Sequence, residues 1–254
     1  MGVSFDGQVV LVTGGSRGIG RAVAEQFAAQ GATVAVHFRA AREAADATVA
    51  ALAGGGHLAV QADLADPEQA RSLVQRVVGG LGRVDVLVNN AGVYQEHPIL
   101  ATSYEEWGRI WRRTLATNLV GPANLLHAVV PHMVAAGGGR IVNVSSRGAF
   151  RGEPDHPAYG ASKAGLNSLG QSMALALGPH GIYVTTVAPG YVETEMAAPF
   201  LQGPAGDAIR AQSPLRRAAT AEEVARVVVF LASPGTEYLT GAIVDLNGAS
   251  YLRT

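Results

Sequence analysis

The chain contains no cysteine, which removes disulfides, thiolate nucleophiles and cysteine-bound zinc from its chemistry. It also lacks lysine almost entirely. Lys163 stands alone, and every other member of the 19 Lys and Arg residues is arginine. Charged residues make up only 15% of the sequence and sum to a net charge of −1. No overall field therefore draws nucleic acid or an anionic membrane to this protein. No apolar run reaches the ~18 residues of a membrane span. Residues 1–7 are polar and carry no basic segment followed by an apolar one, so no signal peptide is expected. These absences together fit a cytoplasmic protein.

What is present is a well-buried composition. The 254 residues are 48% hydrophobic, enough for one large α/β domain spanning 1–254. Apolar runs of strand length alternate with amphipathic stretches of helix length. Strands are predicted over 8–13, 32–37, 57–61, 84–88, 140–144, 182–188 and 242–246. Helices are predicted over 18–30, 40–53, 67–79, most of 103–135, 157–177 and 221–231. Continuous runs such as Gln8-Val9-Val10-Leu11-Val12-Thr13 mark strands buried on both faces. The expectation is a doubly wound, seven-stranded parallel sheet with helices on both faces. The irregular stretch 190–214 reads as a substrate lid, since a long loop inside a compact domain is usually functional.

The segment Thr13-Gly14-Gly15-Ser16-Arg17-Gly18-Ile19-Gly20 joins the first strand to the first helix. Glycines allow a tight turn and a close backbone approach to a ligand. The helix start then offers free N–H groups and a positive dipole end to an anion. This is the setting in which a glycine-rich turn binds a dinucleotide.

The solitary lysine follows Tyr159 by four residues, and residues at that spacing share a helix face. An ammonium beside a phenol favours phenolate and lowers the phenol's pKa from ~10. The pair is then expected to exchange protons near neutral pH.

These pieces resemble the short-chain dehydrogenase/reductase family, and within it the 3-oxoacyl-reductase-like members. The matching segments are the turn at 13–20, Asp63, Asn89-Asn90-Ala91-Gly92, Asn118, Ser146, Tyr159-Gly160-Ala161-Ser162-Lys163, Pro189-Gly190 and the terminal 239–248. They follow the family's order across nearly the whole chain. The resemblance implies hydride transfer between a nicotinamide and a carbonyl or secondary alcohol. It implies Tyr159 as general acid/base, Lys163 on the nicotinamide ribose and Ser146 on the carbonyl oxygen. Ser145 precedes it, and adjacent strand residues point to opposite faces, so only one of the two serines can serve. Asn118 would hold a water that links Lys163 to solvent, or else bond to nearby backbone.

For the cofactor, the resemblance implies contacts from Gly14, Ser16, Arg17, Gly18, Ile19 and Gly20. It implies further contacts from Asp63 and Leu64 at the adenine, Asn90, Ala91 and Gly92 along its ribose, Pro189 and Gly190, and Val192 and Thr194 at the carboxamide. Phe38 stands where the family's NAD enzymes carry aspartate, and Arg39 follows it. Arg17 and Arg39 converging there would suit a 2′-phosphate, so NADP(H) is expected over NAD(H). A largely apolar substrate pocket is expected from Tyr94, Phe150, Tyr191, Met196 and Phe200, with Leu201 nearby. A homotetramer is expected from the family, with helices 103–135 and 157–177 forming one contact.

Other features carry less. His127 and His132 lie five apart, a poor metal spacing, so no metal is expected. Glu105 and Glu106 suit a helix's first turn. Arg147 and Arg151 follow Ser146 and read either as anion contacts or as solvated side chains. Two other functions fit the fold: a non-catalytic NADP(H)-sensing protein, and an isomerase or lyase that keeps its cofactor. A sensor needs no proton donor, and such isomerases carry a larger C-terminal region than this chain.

Overall fold

Valine and leucine runs buried on both sides make the central sheet. In the computed structural model, which describes residues 4–253, the strands are β1 (Val9–Val12), β2 (Thr33–Phe38), β3 (Leu58–Gln61), β4 (Val86–Asn89), β5 (Gly139–Val144), β6 (Ile182–Pro189) and β7 (Ile243–Leu246). All six pairings are parallel, in the order β3-β2-β1-β4-β5-β6-β7. Residues 1–3, part of the polar N-terminus read above, lie outside the described region.

The helices are α1 (Gly18–Ala29), α2 (Arg42–Ala51), α3 (Pro67–Leu81), α4 (Tyr104–Leu115), α5 (Gly121–Ala135), α6 (Gly148–Arg151), α7 (Pro157–Leu177), α8 (Gly203–Ala211) and α9 (Ala221–Leu231). Alternate strand residues feed two cores. Val10, Val12, Val34 and Val36 pack with Val23 and Phe27 of α1 and Val224 and Val228 of α9. Val9, Leu11, Leu87 and Ile141 pack with Leu73 of α3, Leu125 and Val129 of α5, and Leu177 of α7. The period-two alternation of β1 is thus satisfied by helices on both faces.

Local signals set the helix ends. Asp66 accepts hydrogen bonds from the Glu68 and Gln69 amides, Pro67 opens the first turn, and Gly82 ends α3 in the left-handed region at φ +84°. Thr220 and Glu223 form a capping box at α9. The helix after the fourth strand starts at Tyr104, capped by the Ser103 hydroxyl. It widens into one π turn over Ala116–Val120 before α5.

The strands end together at one edge. The order reverses between β1's two neighbours, β2 and β4, and such a switch point opens a crevice beyond the carboxyl ends. Stretch 190–214 is less irregular than its composition implies. It holds a short 3-10 turn at Ala198–Phe200 and helix α8. Gly206 explains part of this, since a Cβ there would lie 2.3 Å from Leu201 backbone. Among the described residues, no helix is long and apolar enough to cross a membrane.

Candidate active site

A cavity of about 380 Å³ lies over the switch point. Its floor is the glycine turn. Gly14 and Gly18 have φ of +63° and +52°, which disfavour any side chain. A Cβ on Gly20 would lie 2.1 Å from the Gly14 carbonyl oxygen. No side chain caps α1, so its first amides remain free for a ligand. This backbone-lined cradle fits a dinucleotide phosphate.

The turn is pinned by residues the motif does not name. Thr13 Oγ1 donates to the Val88 carbonyl and accepts from the Asn90 and Ala91 amides at 2.8 and 3.0 Å. The Asn90 side-chain Nδ2 donates to the Thr13 and Gly14 carbonyls. His37 Nδ1 accepts from the Gly14 N–H at 3.0 Å, while Nε2 lies 3.0 Å from the Ala62 carbonyl. That arrangement needs the neutral ring, protonated on Nε2. Burial supplies it, pushing the imidazole down to about 4. Sequence reasoning missed His37, which looks like any strand-end histidine until Gly14 is placed beside it.

Every expected cofactor contact lines this one cavity: Gly14, Ser16, Arg17, Gly18, Ile19, Gly20, Phe38, Arg39, Asp63, Leu64, Asn90, Ala91, Gly92, Tyr159, Lys163, Pro189, Gly190, Val192 and Thr194. Burial works to raise the Asp63 pKa, but the Arg113 hydrogen bond and the Ala65 amide hold it below the usual carboxylate range. Both arginines line the cavity, but they are differently engaged. Arg17 reaches to Glu195 in the 190–214 segment at 2.9 Å, with side chains 63% and 70% exposed. Arg39 is exposed and pairs with no carboxylate among the described residues.

Ser146, Tyr159 and Lys163 meet at the far end of the cavity. Ser145 also borders the cavity, but its hydroxyl is engaged, donating to the Lys163 carbonyl at 3.3 Å. The expected electrostatics of the pair do not form. Burial pushes Tyr159 up to about 12, against the lowering effect of the Ser146 hydrogen bond. Lys163 is itself pushed down to about 8 by burial. Its Nζ donates to the Val144 carbonyl at 2.7 Å and lies 5.7 Å from the Tyr159 ring centre. The ammonium thus approaches the ring and bonds a strand carbonyl, while desolvation of the phenol dominates.

Three expected residues, Asn118, Phe150 and Leu201, do not line the cavity. Asn118 is buried in the π turn. Its Oδ1 accepts from the Val93 amide, and its Nδ2 donates to the Val93 carbonyl and to Ser162 Oγ. Its side-chain amide is thus bonded to protein, as the backbone-bonding reading expects. Phe150 faces the C-terminal segment, with the Arg253 guanidinium 4.1 Å above its ring. Helix α6, which the sequence did not reveal, turns it outward.

Tyr94, Tyr191, Met196 and Phe200 do line the cavity. Tyr94 stacks on His156 at 3.7 Å and meets Tyr159 edge-on at 4.7 Å. Two charged groups join them that an apolar pocket would exclude, Glu153 and Arg147. Arg147 is 4% exposed, so it is not a solvated side chain. Its Nη1 donates to Gln212 Oε1 and Ser250 Oγ at 2.9 and 2.7 Å, and Arg151 donates to the same Gln212 oxygen. Burial, and then the Arg151 charge, lower the Arg147 pKa.

Comparison with known proteins agrees with this geometry. A family model described as "Enoyl-(Acyl carrier protein) reductase" matches residues 14–248. A 3-oxoacyl-acyl-carrier-protein reductase of Staphylococcus aureus is 36% identical over 244 residues, covering 95% of this chain and 97% of that one. A D-threitol dehydrogenase of Mycolicibacterium smegmatis is 38% identical over 247 residues, covering 96% and 93%. The crystal structure of a dehydrogenase/reductase from Sinorhizobium meliloti superposes with a TM-score of 0.90 at 33% identity, covering 98% of this chain and 97% of that one. A short chain dehydrogenase from Burkholderia cenocepacia in complex with NADP gives 0.86 at 35% identity, covering 96% and 98%.

Proposed function

This chain belongs to the short-chain dehydrogenase/reductase family, and from that premise we propose that it is an NADP(H)-dependent oxidoreductase acting on a carbonyl or secondary alcohol. The observation that carries the proposal is the convergence of Tyr159, Ser146 and Lys163 on the same cavity as the glycine turn. The cofactor, when bound, supplies the hydride at its nicotinamide. This chain's residues then have three tasks: to orient the carbonyl, to hold a proton at its oxygen and to keep water out.

Tyr159 holds that proton. Burial keeps its phenol protonated at neutral pH, which suits donation to a carbonyl oxygen. Ser146 Oγ polarises the same oxygen. Its hydroxyl already accepts from the Gly148 amide at 3.0 Å, which leaves its own proton free to donate. Lys163 binds the nicotinamide ribose and is anchored by Val144, while Asn118 positions the π turn against Val93. In the oxidative direction the same phenol must first lose its proton, and there the Ser146 hydrogen bond helps.

Preference for NADP(H) rests on Arg39. Phe38 leaves no carboxylate at the strand end, and Arg39 offers an unpaired guanidinium. The Burkholderia relative's NADP complex supports the same reading. A sensing role does not call for a Tyr-Ser-Lys group gathered at one end of the cavity. We further propose a homotetramer whose contacts include α5 and α7, on which Val134 and Leu175 are exposed. Light scattering showing a monomer would refute that assembly.

The deciding experiment follows the loss of NADPH absorbance against a panel of ketones, aldehydes and 3-oxoacyl esters, with Tyr159→Phe as control. Turnover by the native chain and its loss in the variant are expected. Full turnover by the variant would overturn the role of Tyr159.

A further inference from the structure

Among the described residues, Glu153 is the carboxyl that acts on Tyr159, and it has no ion-pair partner. It lies in the loop between α6 and α7 and lines the same cavity as Tyr94, Tyr191 and Tyr159. Its Oε1 sits where a Cβ on Gly148 would go, so Gly148 makes room for it at the start of α6. No ion pair to Glu153 forms among the described residues, although Arg147 and Arg151 are near enough to influence it. Those arginines are instead held by Gln212 and Ser250. The carboxyl is half-buried and has a single phenol, Tyr94, as donor. A half-buried acceptor of this kind has lone pairs left for further donors, from water or from a ligand.

Resting on the oxidoreductase reading above, we propose that Glu153 anchors a hydroxyl of the substrate, so that the substrate class is a small hydroxylated ketone or the matching polyol. Three features favour hydroxyls over the alternatives. A hydroxyl both donates to Glu153 and accepts from the Tyr191 phenol, which lines the same cavity. An ammonium group would meet the Arg147 and Arg151 charges. A long acyl chain would bury the carboxyl against methylenes and leave it without donors.

The test compares ketones that differ only in this feature. Rates of NADPH oxidation are measured with acetone, hydroxyacetone, dihydroxyacetone, aminoacetone and an acetoacetyl thioester, for the native full-length chain, Glu153→Gln and Glu153→Leu. In the native chain kcat/KM rises with each hydroxyl, reaching about tenfold or more for dihydroxyacetone over acetone, in line with one charge-assisted hydrogen bond. In Glu153→Leu that ratio collapses, mainly through KM. Glu153→Gln keeps part of it, because its carbonyl still accepts. The carboxylate also opposes ionisation of Tyr159, so Glu153→Gln moves the alkaline limb of the pH profile to lower pH.

Preference of the native chain for acetone, aminoacetone or the thioester overturns the proposal, as does an unchanged ratio in both variants. If no ketone is reduced at all, the oxidoreductase reading fails separately. Calorimetric titration with erythritol then decides the anchor: heat that disappears in Glu153→Leu supports it, and no heat from the native chain overturns it.

Discussion

The two ends of the cavity are built by different means. The end proposed for the cofactor is made of backbone: glycines at positive φ, free amides, and a Gly14 N–H held by His37. The substrate end is made of side chains brought from separate segments. Tyr94 follows β4, Glu153 follows α6, and Tyr191 and Phe200 come from the stretch after β6. Backbone shape is set by near neighbours in sequence, whereas side-chain surroundings are set by distant ones. The first end was therefore legible from the sequence, and the second largely was not.

Removing the proton donor is the largest perturbation at the substrate end. Tyr159→Phe should lower kcat by roughly 10²–10⁴-fold while leaving NADPH binding nearly unchanged, as fluorescence titration would show. A large loss of NADPH binding would blur the separation between the two ends. Next comes the cofactor end. Gly20→Ala places a methyl 2.1 Å from the Gly14 carbonyl, so the turn must shift. Misplacement by ~1 Å costs on the order of 10²-fold in kcat/KM, and this loss should be similar for every carbonyl substrate. A loss confined to one substrate would break the comparison.

Arg39→Ala should cut the NADPH-over-NADH ratio of kcat/KM roughly 10–150-fold, the worth of one charge-assisted hydrogen bond. Arg17→Ala should change it less, because Arg17 is already paired with Glu195. Equal effects would mean that Arg17 leaves Glu195 when the cofactor binds. The smallest effect is on stability. His37 and His156, one at each end, are both held near a pKa of about 4 by burial, below the ordinary 6.5. The unfolded chain therefore binds protons that the folded chain refuses between those values, and stability falls as pH drops below 6.5. Each contributes a loss of about 2 kcal/mol near pH 5, readable as a lowered melting temperature. Replacing His37 by Asn should remove its share of that slope.

The strands and helices were readable because each signal is local. Pro67, Gly82 and the Thr220–Glu223 box sit within a few residues of the ends they set. Helices α6 and α8 escaped notice because glycine and proline mask their short periodic patterns. The π turn around Asn118 escaped because it depends on Val93, 25 residues earlier. Phe150 was placed by its nearness to Ser146 in sequence, and one turn of α6 carries it to Arg253.

By itself the sequence pointed to the doubly wound sheet, the glycine turn and the Tyr159–Lys163 pair, through steric limits and spacing that a short stretch of chain imposes on itself, and the family resemblance added Ser146. Only the tertiary structure decided that burial, rather than the lysine, governs the Tyr159 phenol, that Arg17 is taken by Glu195, and that Glu153 stands beside the reacting end. Desolvation and pairing depend on atoms delivered from distant segments, and no local pattern records which atoms those are.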